Sequence, residues 1–212
     1  YNKLNPDLLN KYIVVDPALA NGSTSNYTVI YVFGVGEDRC YYWLYMHRER
    51  FADPDERTET LFRLVRRFKP IRVGYEAYGM VADTFYIEKA MEEKQYRFKL
   101  VTLGKGSRTQ KLAKQDRIRQ LLPLFRQGQI YLPKAQYAKV RDGKDRTMEV
   151  DMVKLFIESE YTKYPGSTYD DMLDVMSRSL DDELMVDFPI NANPDVIDDS
   201  IYTPQGSTWM SN

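Results

Sequence analysis

Cysteine and histidine are almost missing from this chain: Cys40 and His47 are the single examples among 212 residues. One cysteine forms no internal disulfide and supplies no cysteine-based zinc site. One histidine leaves a His-rich metal centre without ligands and gives a Ser-His-Asp triad little support. Any metal held here must therefore be held mostly by oxygen, which favours hard ions such as Mg²⁺ or Mn²⁺. Long apolar runs are missing too. No stretch approaches the roughly 20 residues that span a bilayer, and no signal peptide opens the sequence. Net charge is close to nil, −1 from 30 Lys and Arg against 31 Asp and Glu, so overall charge selects no partner. The chain opens on Tyr1 rather than Met, as expected of a piece of a longer protein.

What is present describes a globular chain: 43% hydrophobic and 29% charged residues, enough for one domain with a core, with or without a tail. The charge is unevenly spread. Lys94, Arg97, Lys99, Lys105, Arg108, Lys111, Lys114, Arg117 and Arg119 face only Asp116 within residues 94–119, whereas Arg178 is the single base after Pro165. A basic middle and an acidic end suggest a polyanion-binding face near a carboxylate cluster or acidic tail; the alternative is a solvated helix face.

The run KYIVV at 11–15 reads as a buried strand ending at Asp16-Pro17, and 17–26 as a loop. Residues 27–33 and 39–46, aromatic and β-branched around Gly34-Val35-Gly36, read as an antiparallel hairpin. Leu61, Phe62, Val65 and Phe68 share one helical face over 55–68, closed by Pro70. Strand 71–75 runs into Glu76, followed by helix 80–93, strand 97–103 and a helix from about 108 to 127 in which Pro123 marks a kink or restart. A short strand at 129–132 precedes a polar stretch, 134–147, with a turn expected at Asp142-Gly143. Helices are expected over 148–160 and 170–184, and a loosely packed tail over 189–212. No repeat appears. This order predicts one α/β domain with a mixed sheet over 1–188.

Three carboxylate positions stand out. Asp16 ends the first strand; Glu76 ends strand 71–75 and leads into Ala77-Tyr78-Gly79; Asp170-Asp171 open a helix with Asp174 one turn on. Singly, each has an ordinary reading: a turn, an exposed strand end, a capped helix start. Together they describe acids converging at the carboxyl ends of strands, where α/β sheets build sites. Converging carboxylates repel unless cations neutralise them, and two divalent ions about 4 Å apart build a phosphodiester-cleaving centre.

Four stretches resemble the nuclease domain of the large terminase subunit of tailed bacteriophages, within the RNase H-like (retroviral integrase-like) group. They are Ile13-Val14-Val15-Asp16-Pro17-Ala18, Val73-Gly74-Tyr75-Glu76-Ala77-Tyr78-Gly79, Lys114-Gln115-Asp116-Arg117-Ile118 through Gly128-Gln129-Ile130-Tyr131, and Tyr169-Asp170-Asp171-Met172-Leu173-Asp174. The last is the most specific. The resemblance implies a central five-stranded sheet, its first three strands antiparallel, flanked by helices. It implies a metal-dependent DNA endonuclease of a viral packaging motor, cutting concatemeric DNA to 5′-phosphate and 3′-hydroxyl ends in the host cytoplasm. Asp16, Glu76 and Asp171 would be catalytic metal ligands, with Asp170 and Asp174 as adjacent ligands or orienting groups around two Mg²⁺ or Mn²⁺ ions. Lys105, Arg108, Lys111, Lys114 and Arg117 would contact the phosphates of double-stranded DNA. Tyr78 and Tyr164 are candidates for stacking, His47 reads as an exposed strand-end residue, and 134–147 corresponds to a DNA-guiding hairpin. By the resemblance the family's ATPase motor would precede Tyr1; no Gly-x-x-x-x-Gly-Lys-[Ser/Thr] loop is present here, so this chain should not hydrolyse ATP alone; the small terminase subunit and the portal are the implied partners. A resolvase or transposase core, or a non-catalytic docking module, is the alternative reading.

Overall fold

Alternating apolar side chains on both faces make β1 (Asn10–Asp16) and β2 (Thr28–Val35) the centre of the molecule. Every residue of β2 is buried, as expected of a strand covered on both sides. The computed structural model describes residues 4–18, 27–51, 53–76, 81–104, 113–142 and 146–190. β3 (Tyr41–Glu49) pairs antiparallel with β2, and β2 with β1. β4 (Arg72–Glu76) runs parallel to β1, and β5 (Leu100–Leu103) parallel to β4. A sixth strand, β6 (Ile130–Tyr131), lies parallel to β3, giving the order β5-β4-β1-β2-β3-β6. The sheet thus has one strand more than the five implied by the family resemblance. Tyr41 N–H donates to the Gln129 carbonyl at 2.7 Å, and Tyr42 stacks on Tyr131 at 5.1 Å, which together hold the added edge.

Helices cover both faces. On one, α1 (Pro54–Phe68) and α2 (Val81–Glu93) bring Leu61, Phe62, Leu64, Val65, Ile87 and Met91 against Ile13, Val15, Ile30, Val32, Val73 and Tyr75. α1 starts where the Asp53 carboxylate accepts from Asp55 N–H at 2.8 Å, with Pro54 in its first turn, a strong local start signal. Among the described residues, no helix is long and apolar enough to cross a membrane. On the other face, α3 (Lys114–Arg119), α4 (Leu121–Arg126), α5 (Met152–Phe156) and α6 (Asp171–Ser177) cover Tyr12, Val14, Val29, Tyr31 and Phe33. Each large apolar side chain buried this way contributes roughly 1.5–3 kcal/mol.

Three helices differ from the sequence expectation. The helix expected from about 108 begins, within the described residues, at Lys114 and breaks at Gln120; Pro123 falls in the first turn of α4, where no N–H is needed. Residues 146–151 are extended as β8 (Arg146–Asp151), paired with β7 (Tyr137–Asp142), so α5 starts only at Met152, where Asp151 accepts from Val153 and Lys154 N–H at 3.1 and 3.4 Å. The hairpin expected around Asp142-Gly143 is therefore present, its tip at 143–145 lying outside the described residues. The chain then makes one π-helical turn, Ile157–Tyr161. α6 ends at Ser177 and tightens into 3₁₀ turns, because the Ser177 and Ser179 hydroxyls donate to the Asp174 and Met176 carbonyls at 2.6 Å each. The tail expected at 189–212 lies, from 191 on, outside the described residues.

Candidate active site

Asp16 is the last residue of β1 and Glu76 the last of β4. The strands are parallel neighbours with Val15 opposite Tyr75. The next residues, Asp16 and Glu76, therefore stand side by side at the carboxyl ends, about 4.8 Å apart along the backbone. Alternation sets their direction. Tyr12 and Val14 face the layer that contains α6, and so does Asp16; Val73 and Tyr75 face α1 and α2, so Glu76 turns to the α6 side as well. α6 buries Met172, Val175 and Met176 against this face and brings Asp171 and Asp174 to the same end of the sheet. Glu76, Asp171 and Asp174 are 2%, 6% and 5% exposed, so the ordinary reading of an exposed strand end does not describe Glu76.

Burial raises the Asp16 carboxyl well above its usual range, and the charges of Glu76, Asp174 and Asp171 push it further. With Asp16 and Glu76 following paired residues of β1 and β4, and Lys114 Nζ reaching Asp170, Asp171 and Asp174, these carboxylates gather in one region at this end of the sheet. Asp170 stands at its rim: its carbonyl accepts from Asp174 N–H at 2.9 Å while its side chain remains partly exposed.

The chain's own cations relieve much of the repulsion, which corrects the sequence argument that divalent ions alone let these acids coexist. Arg178, 1% exposed, donates to Glu76 Oε1 and, at 3.1 Å, to Asp181 Oδ2. Arg117 Nη2 donates to Asp174 Oδ1 at 2.8 Å. Lys114 Nζ lies 2.7 Å from Asp170 Oδ1, 3.4 Å from Asp174 Oδ2 and 4.0 Å from Asp171 Oδ1. Arg48 Nη2 is 3.5 Å from Asp171 Oδ2. Burial works against the Lys114 ammonium, yet Asp174, Asp170 and Asp171 overcome it and raise its pKa. Burial likewise raises the carboxyls of Glu76 and Asp171, offset by Arg178 in the first case and by Lys114 and Arg48 in the second.

The Asp16 carboxylate has no ion-pair or hydrogen-bond partner among the described residues. Lys114 offsets its charge through space, against burial and the charges of Glu76, Asp174 and Asp171. A hard divalent cation fits in kind, since every available donor is a carboxylate oxygen. Among the described residues, no three acidic, His or Cys side chains stand close enough to cage an ion as they are; Glu76 and Asp174 are turned onto Arg178 and Arg117.

Glu160 has a role that sequence reasoning missed. Asp170 occupies the N-cap position of α6, but its side chain makes no capping bond. Glu160, 0% exposed on the π-helical turn, accepts instead from Met172 and Leu173 N–H at 3.0 Å each. It satisfies donors that a helix start leaves orphaned and so frees Asp170, Asp171 and Asp174 from capping. Burial pushes its carboxyl up to about 7, against the two N–H bonds and Arg48. Such π-turns occur frequently at functional sites. The other missed residues left some signal. Arg178 is the single base of an acidic segment, and Arg48 lies two residues after Met46, on the same strand face.

Of the expected phosphate contacts, Lys105, Arg108 and Lys111 lie outside the described residues, as does Tyr78. Lys114 sits on the aspartates. Arg117 is only 4% exposed and bonded to Asp174, so it belongs to the site's interior rather than to a solvated face. Tyr164 donates to the Gln115 carbonyl at 3.3 Å. His47 is buried, 1% exposed, with Nε2 2.6 Å from Glu49 Oε2, which corrects the expectation of an exposed residue. The Glu49 carboxylate also accepts from Arg141 N–H at 3.2 Å, tying β3 to the hairpin.

No protein-family model matches this sequence, and no curated protein matches it. The Holliday junction resolvase of fowlpox virus is similar at a TM-score of 0.44 and 11% identity, over 80% of this chain and 94% of that one. The same resolvase in complex with Holliday junction DNA scores 0.35 at 12% identity, over 55% of this chain and 74% of that one. The large terminase nuclease of thermophilic phage G20c is similar at a TM-score of 0.50 and 15% identity, covering 83% of each chain. The chain thus shares the overall fold of that phage large terminase nuclease.

Proposed function

We propose that the chain is the nuclease domain, residues 1–188, of a viral DNA-packaging motor: a divalent-metal-dependent endodeoxyribonuclease of the large-terminase type that cuts concatemeric double-stranded DNA. One observation carries this reading. Asp16, Glu76, Asp171 and Asp174 meet at the carboxyl ends of β1 and β4 on a terminase-nuclease fold.

Asp16, Glu76, Asp171 and Asp174 would hold two Mg²⁺ or Mn²⁺ ions, with Asp170 beside them. When bound, such ions supply the Lewis acidity that activates water and stabilises the leaving oxygen in phosphodiester hydrolysis. The chain's residues do the rest. Asp171 is our choice for the third catalytic carboxylate with Asp16 and Glu76. Arg178 holds Glu76, Arg117 holds Asp174, and Arg48 holds Asp171. Lys114, Arg117 and Arg178 keep the site's net charge low enough for an anionic phosphodiester to approach carboxylates. A histidine base is not needed in this scheme. Expected partners are the ATPase domain, the small terminase subunit and the portal, in the host-cell cytoplasm.

The test is nicking of supercoiled plasmid by purified protein with Mg²⁺ or Mn²⁺ and an EDTA control. Asp16→Asn should abolish it. Nicking at the wild-type rate by that variant overturns the assignment, and a preference for four-way junctions over linear duplex moves the protein to the resolvase class.

A further inference from the structure

We infer that Arg48 and Arg50 at the end of β3, Tyr27 ahead of β2 and Tyr169 ahead of α6 form a second nucleic-acid contact, a guanidinium–tyrosine platform for backbone phosphates flanking the cut; this rests on the proposed function. The strand register builds a row. Asp16 pairs with Val29, Val29 with Arg48, and Asp16 stands beside Glu76. Glu76, Asp16, Val29 and Arg48 thus cross four adjacent strands at one level on one face. With strands about 4.8 Å apart, the Arg48 backbone lies about 10 Å from that of Asp16, on the side away from Glu76.

At that end the side chains form a connected stack. The Arg48 guanidinium is buried 3.7 Å from the Tyr27 ring centre and 4.9 Å from that of Tyr169. The Tyr27 and Tyr169 rings meet edge to face at 5.6 Å. Arg50, two residues further on the same face, is exposed and lies 4.1 Å from the Tyr27 ring centre. Tyr169 is 40% exposed and directly precedes Asp170 and Asp171. Arg48 is the positioning residue, its aromatic contacts and Asp171 holding it in place. Arg50 and Tyr169 are the surface it presents.

This surface fits a phosphodiester backbone. A guanidinium presents a planar fork that matches phosphate oxygens, and aromatic contact pre-orients it. A strand with one phosphate over Asp16 therefore carries its neighbouring phosphates toward this platform, within a nucleotide or two of the cut. The platform fixes register rather than sequence.

The experiment is fluorescence anisotropy of labelled duplex DNA with the full chain in EDTA, over a salt series, for wild type, Arg50→Glu, Arg50→Gln and Tyr169→Ala. Arg50→Glu should weaken binding about tenfold, and Arg50→Gln should flatten the slope of log affinity against log salt by about 0.9. Tyr169→Ala should weaken binding, and the Arg50 variants should melt within about 2 °C of wild type because Arg50 is exposed. Wild-type affinity and slope in all three variants, with wild-type cleavage intact, overturn the platform alone. A wild-type protein that neither binds nor cuts DNA overturns the proposed function and the platform together.

Discussion

Arg178→Met is the most demanding test of the site's electrostatics. Arg178 is 1% exposed, and its partners Glu76 and Asp181 are each 2% exposed. Methionine keeps much of the side chain's apolar bulk but leaves two carboxylates buried without the guanidinium. Removing one partner of a buried ion pair costs about 3–5 kcal/mol. In a chain of this size each kcal/mol moves the melting midpoint by roughly 2–4 °C, so the variant should melt about 6–20 °C lower. The loss should also depend on pH. Burial already raises the Glu76 carboxyl, and Arg178 opposes that rise, so without Arg178 the rise grows. A carboxyl whose folded pKa exceeds its unfolded one contributes stability at low pH and loses it as pH climbs through the folded value. The deficit should therefore be larger at pH 8 than at pH 5. Thermal melts by circular dichroism in EDTA at both pH values measure it, and adding Glu76→Gln should restore part of the loss. A midpoint within 2 °C of wild type at pH 8, or a double variant no more stable than the single one, refutes the reasoning.

Two further outcomes follow from the same charges. Asp16→Asn should melt above wild type in EDTA at neutral pH, because it removes a carboxylate that burial and Glu76, Asp174 and Asp171 all disfavour. Adding Mg²⁺ or Mn²⁺ should raise the wild-type midpoint by mass action and leave the variant unmoved; a variant that melts at or below wild type in EDTA contradicts the assignment. The Glu160 carboxyl, raised from 4.5 to about 7, should make wild type lose up to about 3 kcal/mol as pH rises across that interval. Glu160→Gln removes that dependence, so its stability profile should be flatter between pH 4.5 and 7, and parallel profiles would count against the buried cap.

How far the amino-acid order alone carries can be judged element by element. Strand alternation, the Asp53-Pro54 start of α1 and the break at Pro70 are local signals, and the elements they announce are present. So is the Asp-Asp-x-x-Asp start of α6, since three-residue spacing groups side chains on one helix face wherever the helix packs. The β8 strand ahead of α5 and the early end of α6 escaped, because strand pairing and serine hydroxyls overrode helical periodicity. The site's neutralisation left only faint traces in the sequence. Arg178 meets Glu76 across 102 residues and Arg48 meets Asp171 across 123, while Arg117, His47 and Glu160 turn inward through packing that no nearby pattern announces. Periodicity states which face of an element is apolar, and that was enough to bring the acids to one end of a sheet. Which cation answers which acid depends on distances between separately packed elements, and those exist only in the folded chain.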